Sequence, residues 1–263
     1  MISADTISVR IGTRAILHGV SFRAEAGEVT AIVGPNGSGK TTLMRAISGD
    51  VGYAGTVTLG GRDLRALRPW QAAELRGVLP QATALSFPFT VREIVRLGFL
   101  GGRLDAGDGS ETEVVEAALA RVDLEGFAGR FYQELSGGEQ QRVQLARVLC
   151  QVWRPVRDGV PRFLLLDEPV SSLDIRHQLA IMDIARDFAE AGGGVVAVLH
   201  DLNLAAMYAD RVAVMSQGRL VASGAPREVI TDAMLREVFG AQISVGVAPP
   251  AGQIFVLPHG ATR

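Results

Sequence analysis

The 263-residue chain holds one cysteine, Cys150, and one lysine, Lys40. A single cysteine excludes an internal disulfide framework and suits a reducing compartment. In the apolar helical pattern around it, Cys150 reads as an inert core residue. Of 26 basic residues, 25 are arginine, an excess that reads as GC-rich codon usage and leaves Lys40 as the position to explain. Net charge is also scarce. The 26 Lys+Arg against 28 Asp+Glu leave −2, with no basic footprint for nucleic acid, so no nucleic-acid partner is expected. No apolar run approaches the ~18–20 residues of a membrane-spanning helix. Met1–Gly12 alternates polar and apolar and carries Asp5, unlike a signal peptide. What remains, 48% hydrophobic with 21% charged, is ordinary globular usage with ample length for a buried core.

Hydrophobic periodicity divides the chain into three stretches. Ile2–Ile11 and Ala15–Phe22 alternate as half-buried strands around Gly12-Thr13. Glu28–Val33 is a short continuous apolar strand, Lys40–Ser48 a helix, and Thr56–Leu59 a strand before Gly60-Gly61. From about Ala82 to Cys150 helical spacing takes over, at Thr90–Leu97, Glu113–Arg121 and Glu139–Leu149, with breaks at Gly101-Gly102 and Asp105–Gly109. Beyond it strands and helices alternate: Phe163–Leu166, Gln178–Ala191, Val195–Leu199, Asn203–Ala209, then a hairpin of Arg211–Met215 and Leu220–Ala222. Such alternation implies an α/β fold with a mainly parallel sheet and helices on both faces.

Three motifs carry chemistry. Gly34-Pro35-Asn36-Gly37-Ser38-Gly39-Lys40-Thr41 fits G-x-x-x-x-G-K-[ST] between a strand and a helix. Its glycines let the backbone wrap a phosphate, the helix N-terminus adds about half a positive charge, Lys40 reaches the β/γ-phosphates and Thr41 offers a hydroxyl to Mg²⁺. Lysine is a mobile point donor where arginine is a planar fork, so a tightly wrapped loop has room only for the first. Phe163–Leu166 runs into Asp167-Glu168, which places Asp167 to hold Mg²⁺ and Glu168 to act as general base toward water. Leu135-Ser136-Gly137-Gly138-Glu139 contains a capping box, Ser136 to Glu139. Two glycines in a first helical turn lower helix propensity, each by ~1 kcal/mol against alanine, which points to a close backbone approach and a second anion site.

With these motifs in place, the chain resembles the ATP-binding subunits of ABC transporters over nearly its whole length. Gln81 resembles the glutamine loop, Ser171-Ser172-Leu173-Asp174 the D-loop, and His200 the switch histidine. The resemblance implies a P-loop NTPase cassette with a mainly parallel RecA-like sheet, an N-terminal antiparallel β part and a helical subdomain. Residues 1–81 and 151–263 would form the nucleotide-binding core and 82–150 the helical part of a single domain. It implies ATP and Mg²⁺ as cofactors and a head-to-tail homodimer. Each ATP would sit between one subunit's Gly34–Thr42 loop, Thr42 included, and the partner's Ser136–Glu139. Ser136 and Gly138 of the partner would contact the γ-phosphate, with Gly137 among the nucleotide-binding residues; Gln81 would sense Mg²⁺ and water, His200 would stabilise transition-state charge, and Asp174 would tie the two sites together. The family places an aromatic against adenine near the end of the first strand. Ile11 stands there in this chain, so weak base selectivity is expected.

With no membrane span, the translocation path must lie on other chains. Ser86–Val95 and His200–Ala206 resemble ATPases of iron-siderophore, cobalamin and haem importers. An extension, 151–162, and the closing Phe255-Val256-Leu257-Pro258 are most similar to the haem group. That resemblance implies two transmembrane permease subunits contacted by Gln81–Gly98, a periplasmic haem-binding protein acting indirectly, and a peripheral location on the cytoplasmic face of the bacterial inner membrane. Ferric siderophore or cobalamin import, and a soluble ATPase of iron–sulfur assembly, stay open.

Overall fold

A computed structural model describes residues 1–81, 87–100, 104, 107–250, 253–254 and 256–257. The breaks expected at 101–102 and 105–106, residues 82–86 of the expected permease contact, and Phe255 and Pro258 lie outside the described residues. In chain order the elements are β1 (Ile2–Ile11), β2 (Arg14–Ala24), β3 (Val29–Val33), α1 (Lys40–Ser48), β4 (Ala54–Leu59), β5 (Arg62–Asp63), α2 (Pro69–Leu75) and β6 (Arg76–Leu79). Then come α3 (Val91–Arg96), α4 (Glu111–Arg121), α5 (Gly137–Gln151), β7 (Val156–Arg157), β8 (Val160–Pro161), β9 (Phe163–Asp167) and α6 (Ile175–Glu190). The chain continues through β10 (Gly194–Val198), α7 (Leu202–Tyr208), β11 (Arg211–Ser216), β12 (Arg219–Gly224), α8 (Pro226–Val229) and α9 (Asp232–Phe239).

The central sheet has the order β12-β11-β3-β10-β9-β6, parallel except for the β11–β12 hairpin at one edge. β3, β9 and β10 are buried at every position, which is why they read as unbroken apolar runs. Strand alternation divides their side chains between two cores. Leu164, Leu166, Val195 and Ala197 face a core shared with α3 to α7. Phe163, Leu165, Val196 and Val198 face a second core filled by α1 and the antiparallel sheet β2-β1-β4-β5. Two glycines exist for packing on these strands: a Cβ on Gly194 would lie 2.1 Å from the Phe163 ring, and one on Gly77 2.7 Å from Val148. Cys150 is buried in the first core, and burial pushes its thiol up to about 12, so it is inert.

Candidate active site

The loop between β3 and α1 owes its shape to glycine. Gly34 has φ +150°, and a Cβ there would meet the Met215 carbonyl at 2.2 Å; Gly39, the residue before α1, has φ +103°. No side chain caps α1 and its first turn carries no acid, so its first amide N–H groups stay available to an anion. The Ser38 hydroxyl, 3% exposed, has no hydrogen-bond partner among the described residues. Lys40 is 5% exposed, and its Nζ donates to the carbonyls of Gly34 at 2.8 Å and Pro35 at 3.1 Å. Burial lowers its ammonium pKa, with Glu168 and Asp167 pulling it back up.

Sheet register assembles the remaining groups. Asp167 is paired with Val198 of β10, and Leu166 with Leu79 of β6, so Glu168, His200 and Gln81 emerge side by side at the strand C-termini. Glu168 accepts from the Gln81 amide at 2.9 Å, and its other carboxylate oxygen lies 2.8 Å from His200 Nε2. Its backbone has φ +54°, uncommon for a residue with a side chain, and is pinned by the Gln141 amide donating to its carbonyl at 3.0 Å. The Thr41 hydroxyl donates to Asp167 at 3.2 Å. Burial pushes the Asp167 carboxyl above its ordinary value; the Thr41 bond opposes this, the Glu168 charge adds to it, and Lys40 and His200 oppose it. Lys40, Thr41, Asp167, Glu168, His200 and Gln81 thus form one cluster.

Hard oxygen donors, the kind Mg²⁺ takes, come from Thr41, Asp167 and the Gln81 amide. The described residues hold no cluster of three acidic, histidine or cysteine ligands. A cation here would be held by these three groups together with phosphate oxygens. The uncapped α1, the Ser38 hydroxyl and the ammonium of Lys40 fit an anion of phosphate type.

The signature residues stand apart from this cluster. Ser136 caps α5, with Glu139 N–H donating to its hydroxyl at 3.3 Å and the Glu139 carboxylate accepting from Ser136 N–H at 2.7 Å. Asp174 caps α6. Among the described residues no hydrogen bond joins Ser136, Gly137, Gly138 or Asp174 to the cluster around Lys40. The close approach expected of both signature glycines occurs within the chain at one of them. A Cβ on Gly138 would lie 3.0 Å from the Leu173 side chain, whereas one on Gly137 would meet nothing within 4 Å. Ile11 ends β1 with its side chain exposed. Sequence reasoning passed over Gln141. Its one signal is polarity on the inner side of α5, shared with Arg142 and Gln144, which are both buried.

This geometry is that of an ATP-binding cassette, and the chain belongs to the ABC transporter family, whose pattern matches residues 17–171. It is 62% identical over 259 residues to the hemin import ATP-binding protein HmuV of Mesorhizobium japonicum, covering 98% of each chain. It is 60% identical over 263 residues to the hemin import ATP-binding protein HmuV of Rhizobium meliloti, covering all of both. Among solved structures, a dimeric post-hydrolysis state of an ATP-binding cassette bound to ADP and Pi matches with a TM-score of 0.74 and 26% identity, over 86% of this chain and 99% of that one. The fold is therefore the ABC ATPase cassette, and the protein is an ATP-binding ATPase of that family, whose members dimerise and work with transmembrane permeases. No helix among the described residues is long and apolar enough to cross a membrane.

Proposed function

We propose that this chain is the ATP-hydrolysing subunit of a hemin importer. It would act as a homodimer beneath two transmembrane permease subunits, peripheral to the cytoplasmic face of the inner membrane, with a periplasmic haem-binding protein supplying cargo. The observation that carries the reading is identity at the 60% level over the full length of hemin import ATP-binding proteins, extension 151–162 included. Residues 1–81 and 151–263 act as the nucleotide-binding core, and 82–150 as the helical part.

Each residue has a role that its position supports. Gly34–Gly39 and the α1 N-terminus cradle phosphate through backbone N–H groups, and Thr42 continues that cradle. Lys40 turns its ammonium from its own loop carbonyls to the β/γ-phosphates. Thr41, Asp167 and Gln81 hold Mg²⁺, which supplies charge neutralisation on the phosphates. Glu168 accepts the proton of the attacking water, and its strained, doubly bonded position fixes where that proton goes. His200 donates toward the charge that develops at the γ-phosphate. Ser136, Gly137 and Gly138 serve the site of the second copy, and Asp174 links the two sites. The permease contact is Gln81–Gly98.

The test is reconstitution with the permease pair in vesicles. Hemin-loaded binding protein should stimulate ATP hydrolysis, and siderophore- or cobalamin-loaded proteins should not. Stimulation by either of those and not by hemin would overturn the cargo. Wild-type protein that associates with no permease would overturn the transporter role.

A further inference from the structure

Asp174 and His177 are joined more strongly than helix capping requires. His177 backbone N–H donates to Asp174 Oδ1 at 3.0 Å, and its ring Nδ1 lies 2.8 Å from the same oxygen. The other ring nitrogen, Nε2, lies 3.4 Å from Asp123 Oδ2. Asp123 follows α4 and belongs to the helical region. The same Oδ2 atom faces Arg176 at 3.2 Å and Arg142 at 3.8 Å. Arg142, buried in the second turn of α5, donates to the carbonyls of Val122 at 3.0 Å and Asp123 at 2.8 Å. A chain of polar contacts therefore runs Asp174–His177–Asp123–Arg142, from the D-loop to the helix that begins with the signature glycines.

Two further observations support a purpose for this chain. Asp123 has φ +58° just past the end of a helix, a position where glycine is the favoured residue. An aspartate there gives up backbone ease for a carboxylate aimed at the guanidinium groups of Arg176 and Arg142 and at the His177 ring. Independently, the two loops abut at Gly138, where a Cβ would lie 3.0 Å from the Leu173 side chain and 3.6 Å from the Ser172 carbonyl. The backbone and ring N–H groups of His177 also hold the Asp174 carboxyl below its ordinary value, as a firmly bonded carboxylate requires.

We propose that His177 is a positioning residue: through Asp123 and Arg142 it locks the Asp174 loop to the signature turn Ser136–Gly138, so that both meet the second copy as one rigid surface. This rests on the reading of those two loops as contacts to the second copy. His177 touches no reacting atom.

The test uses the full chain and three variants, His177→Ala, Asp123→Gly and the pair together. Asp123→Gly removes the carboxylate while relieving the positive φ, so its thermal midpoint should not fall below wild type. Each single variant should lower kcat for ATP hydrolysis roughly three- to tenfold with KM within about twofold, and the double variant should lose no more than either single. A readout free of catalysis goes beside it. Amide hydrogen exchange over residues 171–177 should quicken at least about threefold in both single variants. Unchanged exchange there, or kcat losses that multiply in the double variant, would overturn the lock. Quickened exchange in a chain whose wild type hydrolyses no ATP would support the lock and sink the function proposed above.

Discussion

Lys40 is the residue in which composition and chemistry meet. In a chain with 25 arginines, the one lysine sits 5% exposed with its Nζ between two carbonyls at 2.8 and 3.1 Å. A guanidinium is wider, planar and geared to paired acceptors, so it cannot turn in that space. Lys40→Arg should therefore reduce steady-state ATP hydrolysis on the order of 10²–10³-fold, as fully as Lys40→Ala. Near-wild-type turnover in the arginine variant would contradict this. Asp167 makes the opposite trade, function against stability. Its carboxyl is raised by burial, so the folded chain binds that proton more tightly than the unfolded chain does. Stability from this group is greatest below the ordinary carboxylate value, falls as pH rises through the range between the unfolded and folded values, and stays reduced above it. Asp167→Asn removes the titration and keeps an acceptor for Thr41. At neutral pH the variant should melt higher than wild type, about 2–4 °C if the gain is about 1 kcal/mol. The gap should close in acid, and hydrolysis should be lost. A lower melting point for the variant at neutral pH would show the argument wrong.

At the scale of elements, the approach to α3 separates two phenylalanines that look alike in the sequence. Phe87 is 69% exposed, while Phe89 packs against the helical core, and its carbonyl accepts from Tyr132 N–H at 2.9 Å. Their rings meet edge to face with centroids 6.3 Å apart. Phe87→Ala should leave basal hydrolysis and melting unchanged and cut hemin transport several-fold in vesicles. Phe89→Ala should cost about 2 kcal/mol of stability, since it removes packed ring atoms. Equal melting points for the two variants would erase the distinction. The same scale shows what could be read beforehand. β3, β9 and β10 were legible because burial on both faces leaves nearly every position apolar, with Thr30 and the closing Asp167 the exceptions. α1, with its glycine loop, was legible because phosphate geometry allows few spacings. The helices α2, α8 and α9, seven, four and eight residues long, were not. The extension 151–162 holds the hairpin β7–β8 on Asp158-Gly159, both at positive φ. That dipeptide is a strong hairpin signal, but the two-residue strands beside it are too short to show alternation. In the cluster at the strand ends, spacing singles out Lys40, Thr41 and Asp167. The Gln141 bond to the Glu168 carbonyl and the His177–Asp123 contact join residues far apart in sequence, and only the folded chain brings them together.

At the scale of the whole molecule, the two groups of motif residues stand apart in one chain. The phosphate loop and acidic cluster lie at the strand C-termini. Ser136 and Gly137 are exposed at the head of α5, with open space where a Gly137 Cβ would point. In the function proposed above, a symmetric pair would resolve this, because each copy would offer its signature turn to the other's loop. The γ-phosphate would then be the shared contact, and its removal would weaken the pair. In that reading Glu168 controls the removal. Its two carboxylate oxygens are engaged by Gln81 and His200, at 2.9 and 2.8 Å. Glutamine in its place keeps the shape and one acceptor but cannot take a proton from water. Glu168→Gln should consequently bind ATP with Mg²⁺ and stay paired: size-exclusion with light scattering should give a dimer with ATP and a monomer with ADP. Lys40→Ala added to the same chain should abolish the dimer, because the phosphates lose their point charge. A Glu168→Gln chain that elutes only as monomer at saturating ATP would mean that the two half-sites are not completed by a second copy.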